Sequence, residues 1–302
     1  MPRELGDVHV TLCFPHAGTR VWIRSEAGAR AIAGLGDHAI TAIAELALSA
    51  DEPADLSSLA HVVWTAVRSL SFSSAPARAI AADVIGHAPV VERIERGSHV
   101  LPPLAMAALA GATGLRELGL YDPADDDLAR LAALPRLSSL SWAARDRPRL
   151  TARGLAELAR WPALRELRPS MGIGDEEVRI LATVRGLERL FVGARAISDA
   201  GGAALASLTA LQALDLSKTE VGDPTAVALA SLPALEELDL TATHVGAAGV
   251  RALAAAPRLR CLGLSWGSSP EITAIANEAF KTGVVCWSDY DIDGLWGMDD
   301  YE

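Results

Sequence analysis

Apolar positions along the chain recur with a long, steady period. Residues 211–234 read LQALDLSKTEVGDPTAVALASLPA, and residues 235–258 read LEELDLTATHVGAAGVRALAAAPR. Each opens on Leu-x-x-Leu-x-Leu and passes through a polar bend ending in Thr219 or Thr243. Each then closes on a helix-spaced stretch and a proline, Pro233 or Pro257. Anchored on the first apolar residue, the register runs Val67, Val91, Leu115, Leu137, Leu164, Leu187, Leu211, Leu235 and Leu259. The steps are 24, 24, 22, 27, 23, 24, 24 and 24 residues. Fainter members begin at Ile43, with Leu46 and Leu48, and around Val21 and Ile23. Pro169 interrupts the apolar triplet of the unit that starts at Leu164.

Alternation in Leu-x-Leu turns two leucines to one side and the residue between them to the other, as in a strand. The second half of each unit has helical spacing: Val227, Leu229 and Leu232 in one, Val250 and Leu253 in the next. A lone unit buries its apolar side on nothing, whereas stacked units bury it on each other. The pattern predicts an α/β solenoid with parallel strands near 70–72, 118–120, 140–142, 190–192, 214–216, 238–240 and 262–264. Short helices lie opposite. The helix layer is wider than the strand layer, so a single curved horseshoe with a concave sheet is expected.

These residues resemble the leucine-rich repeat family. In detail they are similar to the bacterial 24-residue Gly-Ala-Leu-Ala type and to ribonuclease-inhibitor-like repeats. Gly201, Ala203 and Leu205, and Gly249, Val250 and Leu253, carry the likeness, which covers 67–283 well and 18–66 weakly. The resemblance implies a binding scaffold and no cofactor. The family's bend asparagine is absent. Thr219 and Thr243 replace it, with Pro123, Arg145, Gly172, Arg195 and Gly267 elsewhere, so an asparagine ladder cannot form. Thr hydroxyls, other backbone groups or water must satisfy that corner.

The two ends read differently. Val8, Val10 and Leu12 alternate, residues 15–19 make a turn, and Val21 and Ile23 follow. Residues 1–66 are therefore expected to cap the repeats of 67–283, with a small separate domain as the alternative. Val284, Val285 and Trp287 suggest a last strand. Beyond it, 289–302 holds six acids, no base, and Trp296, so 284–302 reads as a cap strand with an acidic aromatic tail.

The net charge of −11 argues against a nucleic-acid surface. Only two of 27 basic residues are lysine, and with abundant alanine this points to a GC-rich bacterial genome. Three cysteines make no disulfide framework, and MPRELGDVHV has no apolar core of a signal peptide, so a cytoplasmic location is expected. The charge-free stretch from Gly97 to Leu115 contains two prolines and keeps the repeat register, which argues against a membrane span.

No complete catalytic constellation is present. TLCFPHAG, 11–18, resembles the opening of type II thioesterases, but no Gly-x-Ser-x-Gly elbow accompanies it, so Cys13 and His16 read as cap residues. No histidine has metal-ligand spacing with a cysteine or another histidine. Asp122, Asp125, Asp126 and Asp127 lack the glycine of a calcium loop and suit the first turn of a helix.

The expected function is non-enzymatic protein binding on the concave face, in a regulatory or toxin-neutralising role. A secreted bacterial effector and an enzyme housed in residues 1–66 are the alternatives. The outward strand positions nominate Arg93, Glu117, Glu166, Arg168, Arg189, Phe191, Asp215, Glu237 and Asp239, with Tyr121 and Trp266 at strand exits and Trp296 in the tail. Phe191 stands out as an apolar anchor flanked by Arg168 and Arg189. The acids Asp215, Glu237 and Asp239 beside it suit a basic partner.

Overall fold

The computed structural model describes residues 3–5, 8–13, 18–50, 54–144, 149–170, 173–193, 196–265, 269–280 and 285–288. Two compact units emerge: Met1–Ala144 with Trp161–Leu164, and Arg145–Arg160 with Arg165–Glu302.

The first unit opens with strands β1 (Arg3–Leu5), β2 (Val8–Cys13) and β3 (Gly18–Ile23), each antiparallel to the next. From β3 onward all pairing is parallel, through β4 (Ile43–Leu48), β5 (Ser69–Phe72), β6 (Arg93–Ile94), β7 (Glu117–Tyr121) and β8 (Ser139–Ala143). Helices fill the connections: α1 (Glu26–Ala33), α2 (Asp37–Ile40), α3 (Ala75–Ala79), α4 (Ala81–Gly86), α5 (Pro103–Ala110) and α6 (Asp125–Leu131). The charge-free stretch forms the short α5. Among the described residues no helix is long and apolar enough to cross a membrane.

In the second unit, α7 (Ala152–Glu157) precedes β9 (Glu166–Pro169). Then strands and helices alternate: α8 (Asp175–Leu181), β10 (Arg189–Phe191), α9 (Asp199–Gly202), β11 (Ala213–Asp215) and α10 (Asp223–Leu229). They continue with β12 (Glu237–Asp239), α11 (Ala247–Leu253), β13 (Cys261–Ser265), α12 (Pro270–Ala279) and β14 (Val285–Ser288). The strands from β9 to β14 pair in parallel, each with the next. Pro169 does not abolish its strand: it is the last residue of β9, beyond Glu166 and Leu167, which pair with β10.

The register is the one the spacing predicts. Leu167, Leu190, Leu214, Leu238 and Leu262 stand opposite one another across β9 to β13. All five are at most 1% exposed. The three central strands begin one residue earlier than expected. The helical half is also corrected at one position. Ala226 and Leu229 face the core of α10, whereas Val227 is 54% exposed, because α10 begins at Asp223 and positions 226 and 229 share its inner side.

Two devices replace the missing asparagine ladder. At the strand exits, the Thr219 hydroxyl donates to Leu216 O at 2.6 Å and that of Thr243 to Leu240 O at 2.7 Å. The residue just before each threonine, Lys218 or Ala242, has φ of 58° or 55°, and Asp122 has 47° at the same repeat position. This left-handed turn sends the N–H of Lys218 to Thr241 O and that of Ala242 to Ser265 Oγ, both on the next unit of the stack.

At the helix starts runs an aspartate ladder. Asp175 accepts from the Ser198 N–H at 2.7 Å and from its hydroxyl at 2.6 Å. Asp199 accepts from the N–H of Gly222 and Thr225 and from the Thr225 hydroxyl, at 2.8, 3.1 and 2.6 Å. Asp223 accepts from the N–H of Gly246 and Gly249 at 2.7 and 2.9 Å. Gly222 and Gly246 are N-cap residues without a capping side chain, so the carboxylate one repeat back caps the next helix. This explains the glycines of the repeat signature. A Cβ on Gly201 would stand 2.5 Å from Asp175 Oδ1, and one on Gly249 would stand 2.6 Å from Asp223 Oδ1.

A candidate protein-binding face

The side chains on the outer face of each sheet follow from the same register. In the first unit Arg20, Glu45, Ser69, Arg93, Glu117 and Ser139 stand in one row. In the second, one row is Glu166, Arg189, Ala213, Glu237 and Cys261, and its neighbour is Phe191, Asp215, Asp239 and Gly263.

The first unit pairs its charges internally. Arg20 lies 3.2 Å from Glu45 and 3.3 Å from Glu95, and its guanidinium sits 4.8 Å from the centroid of a Trp22 ring. To reach Glu95 it crosses β4 and β5, where the outward residues beside Glu45 are the small Ala47, Ser69 and Ser71. Arg93 is 2.7 Å from Glu117. Burial works against the Arg93 charge, but the Glu117 hydrogen bond and the fields of Glu117, Glu95 and Glu45 outweigh it and raise its pKa. Tyr121 is half-buried, its ring 6.4 Å from that of His99. Arg20 and Trp22 were not among the residues nominated from sequence. Inward Val21 and Ile23 place them outward by simple alternation.

The second unit is arranged differently. One carboxylate serves two guanidiniums: Glu166 Oε1 accepts from Arg168 Nε at 2.7 Å, and Oε2 from Arg189 Nε at 2.8 Å. The Glu166 side chain is 12% exposed, those of Arg168 and Arg189 31% and 56%. Arg168 also lies over Phe191, 4.2 Å from the ring centroid. Both Nε atoms are spent on Glu166. Among the described residues the Nη ends of the two arginines carry no hydrogen bond.

Three nominated residues differ from expectation. Phe191 is 4% exposed: it points to the outer face, but the Arg168 guanidinium covers it, so it is a support and not an open anchor. Asp215 and Asp239 are 9% and 3% exposed. Each turns back on its own strand exit, Asp215 accepting from the Ser217 N–H and Asp239 from the Thr241 N–H, both at 2.7 Å. The acidic surface that suited a basic partner is thus reduced to half-buried Glu237 in these rows. Trp266, Trp296 and the acidic tail lie outside the described residues, as does His16.

Asp125, Asp126 and Asp127 occupy the first turn of α6, where Asp127 accepts from the Ala124 N–H at 2.9 Å. Among the described residues no group of three His, Cys, Asp or Glu could hold a metal ion.

A family model described as Leucine Rich repeat matches residues 207–230 and 232–254, which contain β11 to α11. The chain carries leucine-rich repeats over these residues. Among the solved structures that share its fold are the following two. An internalin (inlF) from Listeria monocytogenes is 19% identical, with a TM-score of 0.51 over 82% of this chain and 73% of that one. TLR13 in the TLR13–ssRNA13 complex is 18% identical, with a TM-score of 0.51 over 74% of this chain and 32% of that one. At these identities the likeness is one of fold. No curated protein matches the sequence. Leucine-rich repeat folds commonly mediate protein–protein contact through the broad surface that stacked strands provide.

Proposed function

We propose that this leucine-rich repeat protein is a non-enzymatic scaffold that holds a protein partner on the sheet face of its second unit, in a regulatory or toxin-neutralising role. The observation that carries this reading is the Arg168–Glu166–Arg189 cluster over Phe191. Arginine is the charged residue most enriched at interface hot spots, and here two are held in place before any partner arrives. Each is fixed by an ion pair through Nε, and Arg168 additionally by the ring beneath it. Parallel strands give the cluster a rigid base, so docking costs little ordering entropy.

The TLR13 structure names an RNA as ligand. For this chain the net charge of −11 favours a protein.

The test is capture. The full chain, immobilised, is exposed to lysate of its source cell beside an Arg168→Gln/Arg189→Gln variant of equal thermal stability, and retained proteins are identified by mass spectrometry. The reading expects a protein retained by the native chain and lost by the variant. Equal retention by both removes this face from the function.

A further inference from the structure

The charge balance of the cluster specifies what kind of segment it takes. Arg168 and Arg189 share one carboxylate, so the trio carries one surplus positive charge. That charge resides on the two most exposed side chains of the three. The next residue along the row, Ala213, is apolar and buried. Glu237 stands opposite Ala213 one strand further on, roughly 10 Å from Arg189 at about 4.8 Å per strand. That is about one Debye length at physiological salt, so local charges outweigh the chain's overall negative charge. Asp215, the cross-strand neighbour of Phe191, is buried and accepts from a backbone N–H.

Guanidiniums bind carboxylates through paired, parallel N–H donors. With Nε committed to Glu166, each arginine still presents its Nη edge, the side of the fork that remains for a second acceptor. On the first unit, by contrast, Arg20 already has two acidic partners and Arg93 one, so that face offers no such surplus.

Building on the binding-face reading above, we infer that Arg168 and Arg189 form a docking point for an acidic peptide segment of the partner, two of whose carboxylates engage the Nη edges while Glu166 keeps the forks apart.

The experiment is fluorescence anisotropy on the full chain with three labelled probes: hexaglutamate, hexalysine and a twelve-nucleotide uridine RNA. Hexaglutamate is expected to bind, at least tenfold more weakly at 0.5 M than at 0.05 M salt, with hexalysine and the RNA binding at least tenfold less well. Arg189→Gln, which leaves Phe191 covered, should weaken hexaglutamate binding at least fivefold, and Arg168→Gln similarly. Hexaglutamate binding that is absent, or unchanged in both variants, overturns the inference, as does RNA binding that is stronger and lost in both variants. If capture by the native chain still depends on the two arginines while hexaglutamate fails to bind, the acidic-segment inference falls and the binding-face reading stands.

Discussion

The guanidinium of Arg168 lies over Phe191, 4.2 Å from the ring centroid, and the ring is closed off from solvent. The aromatic residue that looks like the hot spot in the sequence is therefore the floor beneath it. Cation–π contact and burial both act to hold Arg168 in one orientation, where Glu166 then fixes its Nε.

Phe191→Ala is accordingly expected to act on stability first. Truncation of a buried phenylalanine costs about 3–5 kcal/mol, and the lower part of that range applies where one side is covered by a flexible side chain. Chemical denaturation of the variant checks it. A loss below about 0.5 kcal/mol would show that the ring is not packed as described.

The inner leucines of the regular repeats set the strength of the stack. Leu214→Ala and Leu238→Ala should each cost about 2–5 kcal/mol, since both are at most 1% exposed and in register with each other. Guanidinium midpoints, with slopes compared to confirm a single transition, decide it.

The aspartate ladder makes stability fall in acid. Two hydrogen bonds from Ser198, hydroxyl first and N–H second, hold the Asp175 carboxyl below the usual carboxylate value. At Asp199 burial pulls the pKa up, but the Thr225 hydroxyl and the N–H groups of Gly222 and Thr225 outweigh it, so it too is lowered. A folded-state pKa below the unfolded one contributes stability that is complete above the unfolded value, about 3.9. That contribution is lost as pH falls through the folded value. Asp199→Ala should cost about 1–2 kcal/mol at pH 7. The gap in urea midpoint between pH 7 and pH 3 should be smaller in the variant than in the native chain. An equal gap would mean that the ladder is not charged in the native state.

Ala242 has φ of 55°, a conformation that costs an L-residue about 1 kcal/mol. Glycine adopts it freely but loses more entropy on folding. Ala242→Gly should therefore stabilise by up to about 1 kcal/mol, read as a rise in the thermal midpoint. A clear fall would place the gain elsewhere, in the exposed methyl group of Ala242.

Much of this architecture is legible in the sequence, because a 24-residue period ties every strand to its neighbours. The register from Glu166 to Cys261 follows from counting alone. The accessibility of the face does not. Phe191, Asp215 and Asp239 occupy outward positions, and alternation assigns them to the surface. What buries Phe191 is Arg168, one repeat back, while Asp215 and Asp239 turn back to backbone N–H groups at their strand exits. Val227 shows the same limit from the other side: an apolar residue in a helical run, turned outward because the helix start sets the phase. The aspartate ladder was visible as Asp175, Asp199 and Asp223 at 24-residue steps. Spacing gives it no meaning until the glycines opposite are seen to leave room for the carboxylates. Arg20 and Trp22 lay outside the nominated set because the repeat is faint there.

The central claim is that the partner meets the chain at Arg168 and Arg189. The direct measurement is the dissociation constant of the captured partner for the native chain and for Arg168→Gln/Arg189→Gln, by calorimetry, with matching circular dichroism spectra and thermal midpoints. The account predicts binding at least tenfold weaker in the variant; an unchanged dissociation constant would contradict it.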